Sequence, residues 1–388
     1  MTGLSIAFFG SSLVSAYWNG AATYYRGIIR ALAERGHRVT FYEPDAYDRQ
    51  KNRDMDDPEW AKVVVYAPEQ TALRLALESA RDADLLIKTS GIGIFDDVLE
   101  SAVLSVKAPH TMTAFWDVDA PATLDRVNTN PSDPFRELIP KYDLVPTYGG
   151  GLRVVDAYRN LGARSCLPIY NALDPSTHFP VPAEPHFASD LTLLANRLPD
   201  REARIEEFFL RAAESAGAFQ FLLGGNGWET KRLPANVKAI GHVFTRDHNA
   251  LNCSARAVLN VNRESMAFYG FSPPTRIFEA AGAGGCIITD AWEGIEMFLD
   301  PGREVLVASS GTEVANILRD LDLASARRIG RAARKRMLSQ HTYRHRVDQL
   351  EQELGFQSRL KFTPRAHTKS AHACPSHSVS GAKNERIA

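Results

Sequence analysis

Tyr269-Gly270-Phe271-Ser272-Pro273-Pro274-Thr275-Arg276-Ile277-Phe278-Glu279-Ala280-Ala281-Gly282-Ala283-Gly284-Gly285 leads directly into Cys286-Ile287-Ile288-Thr289. The proline pair presets the backbone for helix entry, so the spacing predicts a helix over residues 275–282 with Thr275 as its N-cap. Gly284-Gly285 ends it before an apolar strand at residues 286–289. Loop, helix and buried strand in this order form one unit of a parallel α/β sheet. The loop amides and the positive end of the helix dipole then face the region beyond the strand ends, where such sheets bind ligands. Glu279 lies one turn into the helix. It either accepts two hydrogen bonds from a diol such as ribose or pairs with Arg276 at i, i+3. A carboxylate on a helix of small residues points to use, and Ser272, Thr275 and Arg276 are candidates beside it.

The same unit recurs on both sides. In the second half, strands are expected at residues 191–194, 219–223, 258–261 and 304–307, with a helix at 203–216 and helices continuing through Leu354. The first half repeats the pattern, with strands at 5–9, 37–42, 85–88, 111–116 and 144–146 and helices including 24–34 and 153–161. Between the halves, Pro175, Pro180, Pro182 and Pro185 forbid regular structure and mark a linker. The division is a first domain over 1–170, a linker over 171–187, a second domain over 188–340 and a helix over 341–355 able to pack back on the first domain. One large doubly wound domain is the alternative, and the restart of the pattern after the prolines favours two.

Composition narrows the function classes. The 388 residues include 45 Lys and Arg against 46 Asp and Glu, a net charge of −1 that argues against electrostatic capture of nucleic acid or anionic membrane as the main activity. No segment reaches the roughly 20 consecutive apolar residues of a membrane span. The apolar stretch near residues 4–16 has no preceding Lys or Arg and is interrupted by Gly10-Ser11-Ser12, unlike a signal peptide. Cys166, Cys253, Cys286 and Cys374 lack metal or redox spacing, so a reduced, cytoplasmic protein is expected. Residues 356–388 have no apolar periodicity and read as a disordered tail; His367, His372, Cys374 and His377 within it lack a flanking fold to fix metal geometry.

Polar residues just after strands are the remaining candidates. Gly10 and Ser11, continuing to Asn19 and Gly20, form either a phosphate-approaching loop at a helix N-terminus or a tight turn. They lack the GxGxxG pattern of a dinucleotide site. Asp117 and Asp119 follow the strand ending at Trp116. Either can serve as a general base if burial raises its pKa; the pair also spells DxD, a metal–diphosphate motif that recurs at Asp320-Leu321-Asp322, and Asp119 can cap a helix. Arg197 and Arg201, after the first strand of the second domain, can grip a diphosphate through their guanidinium forks or form surface ion pairs.

These landmarks, in order, resemble the GT-B glycosyltransferases. Leu32–Val39 resembles the first helix-to-strand turn of that family, and Ile169–Asp174 with Phe179-Pro180 is similar to its "NGVD…F.P" hinge. Asn196-Arg197-Leu198 resembles its "GRL" segment; Gly224-Gly225-Asn226-Gly227 and Ile240-Gly241-His242-Val243 resemble the next two loops. Phe278-Glu279-Ala280 with Gly284-Gly285 resembles the ribose-binding helix. Gly270–Arg276 and Asp290–Ile295 look like the spore-maturation-protein-like (CgeB-type) subgroup. The resemblance spans residues 4–355. It implies two Rossmann-like parallel-sheet domains facing across a cleft, and transfer of a sugar from a nucleotide-diphosphate donor to an acceptor. It places the ribose on Glu279 and the diphosphate on Arg197, with Arg201 and Gly225 near the donor, and it calls for no metal and no cofactor. Two departures stand out. Phe271 occupies the position of a second Glu found in retaining members, and Asp117 stands where the family has a His, as an inverting base would. A sugar-nucleotide epimerase and a non-catalytic nucleotide-binding scaffold are the alternatives on the same fold.

Overall fold

Strands form where apolar residues run unbroken, because both faces of each sheet are covered by helices. The computed structural model describes residues 3–17 and 19–355. The tail and its His and Cys residues lie outside the described residues.

The first sheet comprises β1 (Ser5–Phe9), β2 (Arg38–Pro44), β3 (Lys62–Tyr66), β4 (Leu85–Thr89) and β5 (Met112–Trp116). All pairings are parallel, in the order β3-β2-β1-β4-β5. A short parallel pair, β6 (Val145–Thr147) and β7 (Cys166–Pro168), extends it through bridges Ala114–Leu144 and Asp117–Thr147. The helices are α1 (Ala22–Glu34), α2 (Gln70–Ala80), α3 (Asp96–Val106), α4 (Ala120–Thr129) and α5 (Gly151–Asn160). Alternation along each strand splits the core in two. Phe9, Tyr42, Leu86 and Phe115 pack toward α2 to α5, whereas Phe8, Phe41, Ile87 and Trp116 face α1.

The second sheet runs β10-β9-β8-β11-β12-β13, again all parallel. Its strands are β8 (Ser189–Leu194), β9 (Phe221–Gly224), β10 (Val237–Gly241), β11 (Ala255–Asn260), β12 (Ile287–Asp290) and β13 (Leu306–Ala308). The helix expected at 203–216 is one continuous rod with a π turn, made of α6 (Pro199–Ile205), Glu206–Leu210 and α7 (Arg211–Ser215). Then follow α8 (His248–Ser254), α9 (Glu264–Tyr269), α10 (Thr275–Ala283), α11 (Gly311–Asp320), α12 (Leu323–Gln340) and α13 (Tyr343–Glu353). β3 and α2 were not anticipated. β3 is an edge strand whose Val63, Val64 and Val65 stay partly exposed, so it lacks the signature of a buried parallel strand.

Helix α13 returns to the first domain. Its Tyr343, Val347 and Leu350 share a core with Ile28 and Leu32 of α1. Arg35 pairs with Asp348 at 2.7 Å and with Glu351, and His37 Nε2 lies 2.9 Å from the same Glu351. At the start of the linker, Asn171 Nδ2 donates to Thr275 Oγ1 at 2.8 Å, and the Tyr343 hydroxyl donates to Asn171 Oδ1. One side chain thus ties linker, α10 and α13 together.

Candidate active-site cleft

Each sheet reverses strand order beside its first strand, between β1 and β4 and again between β8 and β11. Loops leaving such a pair diverge to opposite faces and open a crevice. The two crevices meet in a cleft of about 800 Å³. Its first-domain wall includes Ser11, Asn19, Gly20, Gly91, Asp119 and Tyr148. The second-domain wall includes Ala195, Arg201, Arg263, Ser272, Thr275, Arg276 and Glu279.

Helix α10 supplies the centre of the second wall. Pro274 is its N-cap, without a side-chain cap, so Thr275 is the first helical residue and not the cap. The Thr275 hydroxyl instead accepts the Asn171 amide and faces the cleft. Ser272 is buried and its hydroxyl donates to Gly270 O at 2.9 Å. Glu279 is mostly buried: it lines the cleft, and its Oε2 lies 3.1 Å from Arg276 Nη1, the i, i+3 pair that is one of the two sequence-based expectations. Burial works to raise its carboxyl, but Arg276, His178 and His248 outweigh burial and hold it below the usual range. His178, His248 and Glu279 bring three potential metal-ligand atoms within 4.8 Å of one another. The Arg276 guanidinium already engages one Glu279 oxygen, so a cation there would compete with it.

The arginines need a correction. Arg197 does not reach the cleft: its Nη2 pairs with Glu202 at 2.7 Å and its Nη1 donates to Thr230 Oγ1 at 3.3 Å. It precedes the helix, whose N-cap is Leu198, and turns toward the solvent side. Arg201, the first-turn residue expected only to approximate the diphosphate contact, lines the cleft instead. Burial, with Arg263 and Arg276 nearby, lowers its pKa, and its Nε is buried without a hydrogen-bond partner. Arg263 joins it on the wall, paired with Asp200. Gly225 is also off the cleft wall. At φ +120° a Cβ on this residue would sit 2.1 Å from Ala195 O, so the glycine permits a backbone crossing between the ends of β8 and β9.

The two aspartates separate sharply. Asp117 is fully buried. Its Oδ1 accepts from Ser90 Oγ at 2.7 Å, Asp119 N at 3.0 Å and Thr123 Oγ1 at 3.1 Å, and its Oδ2 accepts the Tyr158 hydroxyl. With both oxygens accepting hydrogen bonds and no place on the cleft wall, Asp117 braces the loop after β5. Asp119 does line the cleft, and burial followed by the Asp117 charge raises its pKa. Around β1, Gly10 lies off the cleft, where the Phe41 ring covers it. Ser11, Asn19 and Gly20 are on the wall. Ser11 Oγ donates to Asn19 Oδ1 at 2.8 Å, and Asn19 Nδ2 donates to Ser12 O and Ser15 O, which makes the loop rigid.

Sequence reasoning passed over Arg263, His178 and His248. Arg263 had a readable signal, since it follows Asn260-Val261-Asn262 at the carboxyl end of a strand. The two histidines had none, because the linker and α8 bring them to α10 only in the folded chain. Phe271, where a second Glu was the family pattern, stands at φ +45° with its amide donating to Glu293 O at 2.6 Å.

Comparison with known proteins follows the same lines. Residues 201–352 match the family model described as Glycosyl transferase-like. No curated protein sequence matches the chain. Among solved structures, the chain is similar to Anabaena HepE in complex with UDP and glucose, at TM-score 0.63 and 14% identity over 91% of this chain and 100% of that one. It is similar to sucrose-phosphate synthase from Thermosynechococcus elongatus at TM-score 0.63 and 15% identity, covering 92% and 100%. An α-glucosyltransferase in complex with UDP and a 13-mer DNA gives TM-score 0.66 and 11% identity, covering 91% and 100%. The fold is GT-B, two Rossmann-like domains across a cleft.

Proposed function

We propose that the protein is a glycosyltransferase that moves a sugar, of the hexosyl type, from a nucleotide-diphosphate donor to an acceptor nucleophile. The observation that carries this reading is the placement of Glu279, Arg201 and the N-terminus of α10 on one wall and Asp119 on the other wall of a single cleft. Support comes from the family match over residues 201–352 and from similar structures described with UDP. The runs Gly270–Arg276 and Asp290–Ile295 favour the spore-maturation-protein-like subgroup.

In this reading Glu279, held ionised chiefly by Arg276, accepts the ribose hydroxyls. Arg201 and Arg263, with the α10 amides, stabilise charge on the departing diphosphate. Asp119 takes the proton of the acceptor as it attacks, the role of an inverting base. Because guanidinium groups and a helix N-terminus meet the leaving-group charge, turnover is expected without added metal. No described helix is long and apolar enough to cross a membrane, and we place the reaction in the cytoplasm.

The test is to incubate the full chain in EDTA with UDP-glucose and other nucleotide hexoses, and to follow nucleotide release with and without hydroxyl and amine acceptors. Acceptor-dependent release is expected. Conversion of donor alone would identify an epimerase. Nucleotide bound but never released from its sugar would identify a scaffold.

A further inference from the structure

Helix α12 carries Arg327, Arg328, Arg331, Arg334, Lys335 and Arg336 and no Asp or Glu. The chain as a whole is nearly neutral, so this helix is a local concentration of positive charge. Arg327, Arg331, Arg334 and Lys335 recur at a spacing that places them on one helix face. With Pro180 and Gly284 they border a groove of about 790 Å³ that has no acidic residue in its wall. None of its lining residues belongs to the cleft.

Some surface cations elsewhere are paired, as where Arg126 lies within ion-pair reach of Asp97, Glu100 and Asp133. Among the described residues, no carboxylate comes within 4.0 Å of any of the four groove cations. Arg334 Nε donates to Gly282 O at 3.2 Å and so helps to cap α10. The other three have no such structural employment. Like charges one turn apart disfavour a helix, so stability alone does not account for the arrangement. Guanidinium and ammonium groups bordering one groove match phosphate oxygens in charge.

We propose that this groove binds phosphoryl groups, carried either by an anionic lipid headgroup or by a soluble polyphosphate. The proposal does not depend on the glycosyltransferase reading, because the two sites share no residue. The test uses the full chain at about 0.15 M salt, where exposed charges are screened beyond roughly 8 Å. Binding is measured by sedimentation with vesicles of phosphatidylcholine, with or without phosphatidylglycerol, and by calorimetry with inorganic tripolyphosphate. The variant is Arg327→Gln/Arg331→Gln/Lys335→Gln, which alters exposed side chains and spares Arg334. Binding to at least one anionic probe is expected in an Arg201→Gln background, which weakens phosphate binding in the cleft. It should fall at least tenfold when the triple change is added and stay unchanged when Arg303→Gln, an exposed arginine outside both sites, is added instead. Vesicle binding alone identifies the lipid source, and tripolyphosphate binding alone the soluble one. Failure to bind either probe, or equal binding by the triple variant, overturns the proposal.

Discussion

Arg197 and Arg201 differ by one helical turn in sequence and by their whole environment in the fold. Arg197 is satisfied by Glu202 on the outer side, whereas Arg201 faces the cleft with its Nε unpartnered. Arg201→Gln is therefore expected to weaken nucleotide binding about 10- to 100-fold, the effect of about 1.5–3 kcal/mol for a charge-assisted hydrogen bond. Arg197→Gln should stay within about twofold, and calorimetry on both variants checks the contrast. The aspartates make a second contrast. Asp119→Asn should lower transfer by about 10²- to 10⁴-fold with nucleotide affinity kept, the usual range for loss of a general base. Asp117→Asn should instead lower stability, because it disturbs a buried carboxylate that accepts four hydrogen bonds. Because burial and Asp117 raise the Asp119 pKa, the ionised base is lost at a higher pH than an ordinary Asp would be. The acid limb of kcat/KM should lie above the usual carboxylate range and vanish in Asp119→Asn. Glu279 was legible because a carboxylate among small helical residues is conspicuous. The choice between the arginines was not, since both suit a phosphate and only Glu202 decides which one turns away.

Elements were readable where their residues are buried on both faces, as in β1 and β12, and unreadable where they are half-covered, as in β3. The join between α12 and α13 shows what pattern cannot carry. His341 there is buried against Phe298, its Nε2 has no hydrogen-bond partner, and Arg346 lies 3.2 Å from its Nδ1. Burial first, then Arg346, pushes its pKa down to about 3. The folded state therefore keeps this imidazole neutral while the unfolded chain protonates it below about 6.5. The unfolded state binds more protons between those values, so stability falls as pH drops from about 6.5 toward 3. Between pH 7 and pH 5 this group should remove about 1–2 kcal/mol. Urea melts of wild type and His341→Gln at the two pH values test this: the difference between them should shrink by that amount in the variant, and an unchanged difference would refute it.

At the scale of the whole molecule, two halves that read as separate α/β series are held together by contacts no periodicity announces. The Phe271 carbonyl accepts Gly150 N at 2.9 Å, and Arg153 pairs with Glu293 at 2.7 Å, so the loop before α10 docks on the start of α5. Gly151 has φ +55°, and a Cβ there would meet Phe271 Cγ at 2.6 Å. Gly151→Ala should therefore open this contact at a cost of about 1–3 kcal/mol and increase the radius of gyration in solution scattering. Unchanged scattering would show that the loop does not hold the domains together. The repeated unit and the proline linker made the two-domain architecture legible. Which loop touches which depended on side chains meeting across the cleft.

Calorimetric titration of UDP, GDP, TDP, ADP and CDP into the full chain in EDTA tests most directly whether the cleft is a nucleotide-sugar site centred on Glu279 and Arg201. One nucleotide is expected to bind at a single site without metal. At about 100 times its dissociation constant it should add about 2.7 kcal/mol of stability. Both Glu279→Gln and Arg201→Gln should lose affinity about 10- to 100-fold. Binding by none of the five, or binding that both variants retain in full, would contradict the assignment of the cleft.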